Sequence, residues 1–278
     1  MNSQQSLGGG GARENTPVFR KINTNVFAVR YSEMQWEYSK GFTLAEVLIT
    51  LGVIGIVAAM TLPSLISNYK KTQVVSKLKS TYSILQNAAK MSEVKYGHPS
   101  EWESCRGWNL SCTNFLFERY LKPELKIIKT CIPISKDCWT ATKQLDGTLD
   151  GQLGNSQSDA IGVVLSNGVS LLLKSSGNDP ADLFIYADID GPRKGLATLG
   201  GDVFMFELLI TLTRATNPSF YRWGVHLRDL NPHMPRSSRF FNLPHGCIIS
   251  KYSGSGEVCG ALIQYEGWKI PDDYPIKF

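Results

Sequence analysis

Residues 42–66 carry a single charged side chain, Glu46, in an otherwise apolar run. A segment of that length and composition crosses a bilayer as a helix, because only a helix satisfies its own backbone polar groups in hydrocarbon. Beyond Pro63 the pattern becomes amphipathic. Val74, Leu78, Tyr82, Leu85, Ala89 and Met91 fall near one face, with Lys71, Lys77, Lys79 and Lys90 elsewhere. Gly97, His98 and Pro99 then stop the helix. Residues 42–96 thus predict one broken or kinked helix of roughly 80 Å at 1.5 Å per residue, its first half facing lipid or like helices and its second half packed on a head.

Two features of the apolar run have a physical reading of their own. A carboxylate inside a bilayer costs a few kcal/mol on insertion scales, so Glu46 is expected to be paired or functional, with snorkelling near the helix end as the bland alternative. Pro63 has no N–H to offer the carbonyl of Ala59 and, with Gly52 and Gly55 nearby, allows a bend, although a proline at a membrane boundary needs no function. Gly55 and Ala59 form a ridge of small residues where like helices can approach.

Lysines do not decide the orientation, since Lys40 precedes the run and Lys70, Lys71, Lys77 and Lys79 follow it. The cysteines do. Cys105, Cys112, Cys131, Cys138, Cys247 and Cys259 all lie after the run, and an even set confined to that side suits an oxidising compartment. Short loops favour bridges between neighbours, Cys105 to Cys112, Cys131 to Cys138 and Cys247 to Cys259, among about fifteen complete pairings. None forms a CxxC and the spacings are wide for zinc, so no metal and no cofactor is expected.

Residues 1–41 are polar and aperiodic, with a Gly8 to Gly11 run, and read as a segment without a fold; Met34 offers an internal start. The head, 98–278, opens with Trp102, Cys105, Trp108 and Cys112, continues through a short helix at 113–121 and turns to strands. Residues 161–173 predict a β-hairpin with Asn167 and Gly168 in a type I′ turn; 183–187 and 203–213 predict further strands. Residues 217–245, rich in Pro, Arg and aromatics, read as a long surface loop. The expected organisation is therefore a leader (1–41), a transmembrane helix (42–66), its amphipathic continuation (67–97) and an α+β head (98–278).

The formal charge of +5 divides evenly, with five basic against three acidic residues in 1–41 and 24 against 21 in 42–278. No basic block stands out, so a nucleic-acid partner is not expected. GxSxG, HExxH and Walker A patterns are absent, His98, His226, His233 and His245 are scattered, and Cys247 beside His245 reads as a bridge cysteine sooner than a nucleophile. No enzymatic activity is expected. Asp188, Asp190 and Gly191 suggest a fragment of a calcium loop, but a plain turn explains them as well because the full loop pattern is missing.

Lys40-Gly41-Phe42-Thr43-Leu44-Ala45-Glu46 followed by an apolar helix resembles the cleavage and methylation segment of type IV prepilins and type II secretion pseudopilins. The resemblance is strong over about 40–66, and the helix-then-sheet order agrees with a pilin-like fold over the rest. It implies cleavage between Gly41 and Phe42, N-methylation of Phe42, Glu46 as the assembly carboxylate and Pro63 as the kinking proline. It further implies a prepilin peptidase, other pilin or pseudopilin subunits and an inner-membrane platform protein as partners. The chain would be a single-pass inner-membrane protein with its head outside the cytoplasm until it joins a pilus or pseudopilus. Asp188-Ile-Asp-Gly-Pro, Leu199-Gly-Gly-Asp-Val-Phe-Met-Phe and Gly267-Trp-Lys-Ile resemble stretches in large-headed prepilin-like proteins; the long leader and the expanded 214–245 loop depart from the pattern. The rival reading is a conventional signal peptide ending at Val57-Ala58-Ala59, releasing a soluble exported protein that begins at Met60.

Overall fold

The computed structural model describes residues 41–154, 157–192, 195–210, 225–226, 240–241, 245–249 and 255–278. The leader before Gly41, Met34, His233, the end of the 203–213 strand and nearly all of the 214–245 loop lie outside them.

Helix α1 spans Leu44–Tyr96 with Pro63 inside it, so the helical assignment runs unbroken where a break was one expectation. It ends where Gly97 takes φ +80°, a conformation that glycine adopts without a steric penalty. Along its C-terminal part the buried positions are Leu78, Thr81, Leu85, Ala88, Ala89 and Ser92, spaced by three and four as one helical face requires. Met91 departs from the expected face and is exposed. It precedes Ser92 by one residue, a rotation of about 100°, and the small polar Ser92 takes the inward position by donating to the carbonyl of Tyr120.

The head packs its main sheet against this face. Helix α2 (Leu110–Leu116) is capped by Asn109, whose side chain accepts from the Cys112 amide, and a π-helical turn, Phe117–Leu121, follows. Strands β1 (Ile127–Cys131), β3 (Ile161–Leu165), β4 (Ser170–Ser175), β5 (Leu183–Asp188) and β7 (Val203–Leu208) lie side by side in that order, all antiparallel. The two-residue β8 (Val225–His226) adds in parallel beside β7. Strands β2 (Thr142–Lys143) and β6 (Ala197–Thr198) form a separate parallel pair, and α3 (Cys259–Tyr265) closes the chain's last helical segment. The architecture is α+β and pilin-like: a long N-terminal helix followed by an antiparallel sheet.

Alternation along the strands sends Leu171, Leu173, Ile185 and Phe206 to one core with Leu78, Leu85 and Phe117. Leu172, Tyr186, Val203 and Met205 point the other way, into a second cluster with Trp139 and Leu153. Both faces are therefore covered, and β4 is buried at every residue. An arm between β1 and β3, which supplies Ile134, Trp139 and Leu153 to that cluster, is held by Trp139, whose indole donates to the carbonyl of Leu153 at 3.0 Å, and by the Cys131–Cys138 bridge lying over Gly162. A Cβ on Gly162 would meet Cys138 Cβ at 2.7 Å, so this strand glycine is set by a close approach.

The β3–β4 turn differs from the expected type I′. Gly168 has φ +87°, but Asn167 is not among the positive-φ residues. The Gly168 amide donates to the carbonyl of Leu165 at 2.9 Å and Leu165 in turn donates to Val169, which makes Ser166, Asn167 and Gly168 a three-residue loop with the glycine left-handed. Asn167 spends its side chain on the Val169 amide at 3.1 Å, and that contact replaces the second positive φ.

Candidate functional site

At the start of α1, Gly41, Phe42 and Thr43 are non-helical and Leu44 begins the helix. The first turns of a helix leave amide donors without intrahelical partners. Thr43 and Glu46 satisfy two of them reciprocally. The Thr43 amide donates to Glu46 Oε2 at 2.8 Å, the Thr43 hydroxyl donates to the same oxygen at 2.9 Å, and the Glu46 amide donates to Thr43 Oγ1 at 3.2 Å. This is a capping box. Thr43 was missed as a site residue, although Thr43-Leu-Ala-Glu46 has the Thr-x-x-Glu spacing that could have shown it.

Phe42 is 87% exposed, and the space around Gly41, Gly52 and Gly55 is open: an added Cβ would meet nothing within 4 Å at any of the three. Among the described residues no packing contact therefore requires glycine there. The large apolar side chains from Leu44 to Ile66 are exposed, and α1 is long and apolar enough to cross a membrane. Near Pro63 the Thr61 hydroxyl donates to the carbonyl of Val57 at 3.0 Å, one turn back along the helix.

The six cysteines sit far from this segment in sequence and form three neighbour pairs. Cys105–Cys112, Cys131–Cys138 and Cys247–Cys259 have Cα separations of 5.5, 6.2 and 4.8 Å, within the range a disulfide spans. Cys247 is thereby bonded to Cys259 and does not stand as a thiol beside His245.

Asp188 and Asp190 occupy a turn after β5. Asp188 Oδ1 accepts from the amides of Asp190 and Gly191, each at 3.0 Å, and the Asp190 carboxylate pairs with Lys77 of α1. Burial pushes the Asp188 carboxyl up to about 7, with nearby Asp202 and Asp190 adding to it against the two amide donors. Among the described residues no group of three His, Cys, Asp or Glu is arranged to hold a metal ion.

Residues 38–62 match the prokaryotic N-terminal methylation motif, the hallmark of type IV pilins and pseudopilins. Residues 64–278 match a family of unknown function, DUF6613. No curated protein and no solved structure matches the chain.

Proposed function

The chain belongs to the family of unknown function DUF6613, and from that membership joined to a methylation motif we propose that it is a minor pilin or pseudopilin of a type IV pilus or type II secretion pseudopilus. That it is pilin-like and membrane-anchored follows from the motif at 38–62 and the apolar helix behind it; the motif also implies a prepilin peptidase and other pilin subunits as partners. The motif is the observation that carries the reading.

Cleavage falls between Gly41 and Phe42, and the new amine is methylated. The helix anchors the subunit in the inner membrane with the head outside the cytoplasm, and a platform protein extracts it for assembly. The open space around Gly41 supports the cleavage site, since glycine there answers to an outside agent and not to this fold. The exposed ridge of Gly55 and Ala59 supports contacts with like helices. Three disulfides in the head support its oxidising location. The division into leader, anchor, amphipathic helix and head at 41, 66 and 97 belongs to the same proposal.

The mature N-terminus tests it. Mass spectrometry of the chain from membrane and sheared filament fractions should find N-methyl-Phe42, and Gly41→Leu should leave uncut precursor. A chain beginning at Met60 would establish the signal-peptide reading instead, and a chain still cut at Phe42 in Gly41→Leu would overturn the role of the glycine.

A further inference from the structure

On the sheet face turned away from the α1 core, a cleft of about 930 Å³ opens over Lys174 of β4 and Phe184 and Tyr186 of β5. Its size lies within the range of small-molecule sites. Three features distinguish it from a packing gap.

Lys174 lines it with a side chain only 6% exposed, its ammonium 3.2 Å from Asp159 Oδ2 and 5.9 Å from the Trp108 ring centroid. An ammonium has three donors, and the Asp159 carboxylate is the one acceptor beside it among the described residues. Ser255 is 7% exposed and also lines the cleft, with its hydroxyl buried and without a hydrogen-bond partner among the described residues. Such a group is costly to leave unpaired. Trp108 is 55% exposed at the cleft, tilted against Phe184 at 5.9 Å. Its position depends on Gly177, where a Cβ would lie 2.1 Å from Trp108 Nε1.

The charge of the lining selects among ligands. Asp150, Asp159 and Glu257 oppose Lys174, which disfavours phosphates and polyanions. The carboxylates are committed: Asp150 accepts from Gln144 Nε2 and from the amides of Gln152 and Leu153, and Glu257 accepts from the Tyr186 hydroxyl at 3.1 Å. A net acidic, hydrogen-bonding cleft with an exposed indole suits a ligand that is uncharged, rich in hydroxyls and apolar on one face. We propose that the cleft binds a neutral saccharide, with a pyranose C–H face laid on Trp108 and hydroxyls bonded to Lys174, Ser255 and the side chain of Gln152.

The test uses the full chain in a detergent that carries no sugar headgroup. Maltohexaose, cellohexaose and N-acetylchitohexaose are titrated by saturation-transfer NMR, alongside a sulfated oligosaccharide and an oligolysine peptide. At least one neutral hexaose should bind. Trp108→Ala should weaken it by roughly tenfold or more, the loss of one aromatic contact plus its buried area. Ser255→Ala should weaken it less, Trp108→Phe should restore part of the affinity, and Gly177→Val should resemble Trp108→Ala because the valine displaces the indole. Circular dichroism and intact disulfides check folding of every variant. Absence of binding by all three hexaoses, binding indifferent to Trp108, or Trp108-dependent binding of only the sulfated sugar or the peptide would overturn the proposal.

Discussion

Glu46 Oε2 accepts two hydrogen bonds from Thr43, from the amide at 2.8 Å and from the hydroxyl at 2.9 Å. The carboxylate proposed for assembly is thus already engaged by its own helix, and any pairing with a neighbour's terminal amine has to use its remaining lone pairs or displace Thr43. Charge and capping are separable by substitution. Glu46→Gln keeps an acceptor for the Thr43 amide but removes the charge; Glu46→Val removes both. If ion pairing drives docking, both variants insert in the membrane, are cut at Gly41, and are depleted from sheared filaments to a similar degree. Filament incorporation of Glu46→Gln at the wild-type level would show that only the cap matters.

The buried face of α1 should respond sharply to position. Leu85 is fully buried while Met91 is 53% exposed. Leu85→Ala should destabilise the head by about 2–5 kcal/mol through lost burial and a residual cavity. Met91→Ala should change stability by less than about 0.5 kcal/mol. Urea unfolding of the full chain in micelles, followed by the near-ultraviolet signal of the head, distinguishes the two; equal effects would contradict the packing.

Asp188 predicts a pH dependence with a definite sign. Burial raises its carboxyl to about 7 from an ordinary value near 3.8, so the folded state binds the proton more tightly than the unfolded one. The contribution to stability is complete below about pH 4 and is lost as pH rises through about 7. Asn at this position keeps an acceptor for the amides of Asp190 and Gly191 and does not titrate. Asp188→Asn should therefore gain on the wild type as pH rises from 4 to 8, by on the order of 1–4 kcal/mol. Thermal unfolding of both proteins at intervals across that range measures the difference, and a constant difference would refute the raised value.

Each disulfide should restrict the unfolded chain, contributing about 2–4 kcal/mol. The Cys131–Cys138 bridge has a second role because it lies over Gly162. Replacing both of its cysteines with serine should lower stability and loosen the covering arm, read as faster amide exchange around Trp139. Peptide mapping without reduction should find the three neighbour crosslinks in exported protein; six alkylatable thiols would contradict them.

Features that depend on local pattern are legible in the chain before it folds. The apolar run at 42–66 reads as a membrane segment because bilayer insertion depends on composition and length, and the methylation motif is a contiguous string. The Leu78 and Leu85 face followed from helical periodicity, and the two strands around Gly168 from a turn between apolar runs. Other features follow mostly from contacts between residues far apart in the chain. Met91 yielded the inward place to Ser92 because the carbonyl of Tyr120, distant in sequence, offered a bond. The turn keeps Gly168 left-handed as the dipeptide suggests, but Asn167 accepts from the Val169 amide in a three-residue loop that the dipeptide does not specify. Strand β4, Ser-Leu-Leu-Leu-Lys-Ser, shows no alternation because an arm with Trp139 covers its second face, and alternation reports a solvated face that this sheet lacks. On that same face Lys174 is only 6% exposed with Trp108, sixty-six residues earlier, 5.9 Å from its ammonium; no local period encodes such burial, because it depends on side chains that the fold brings in from distant parts of the chain.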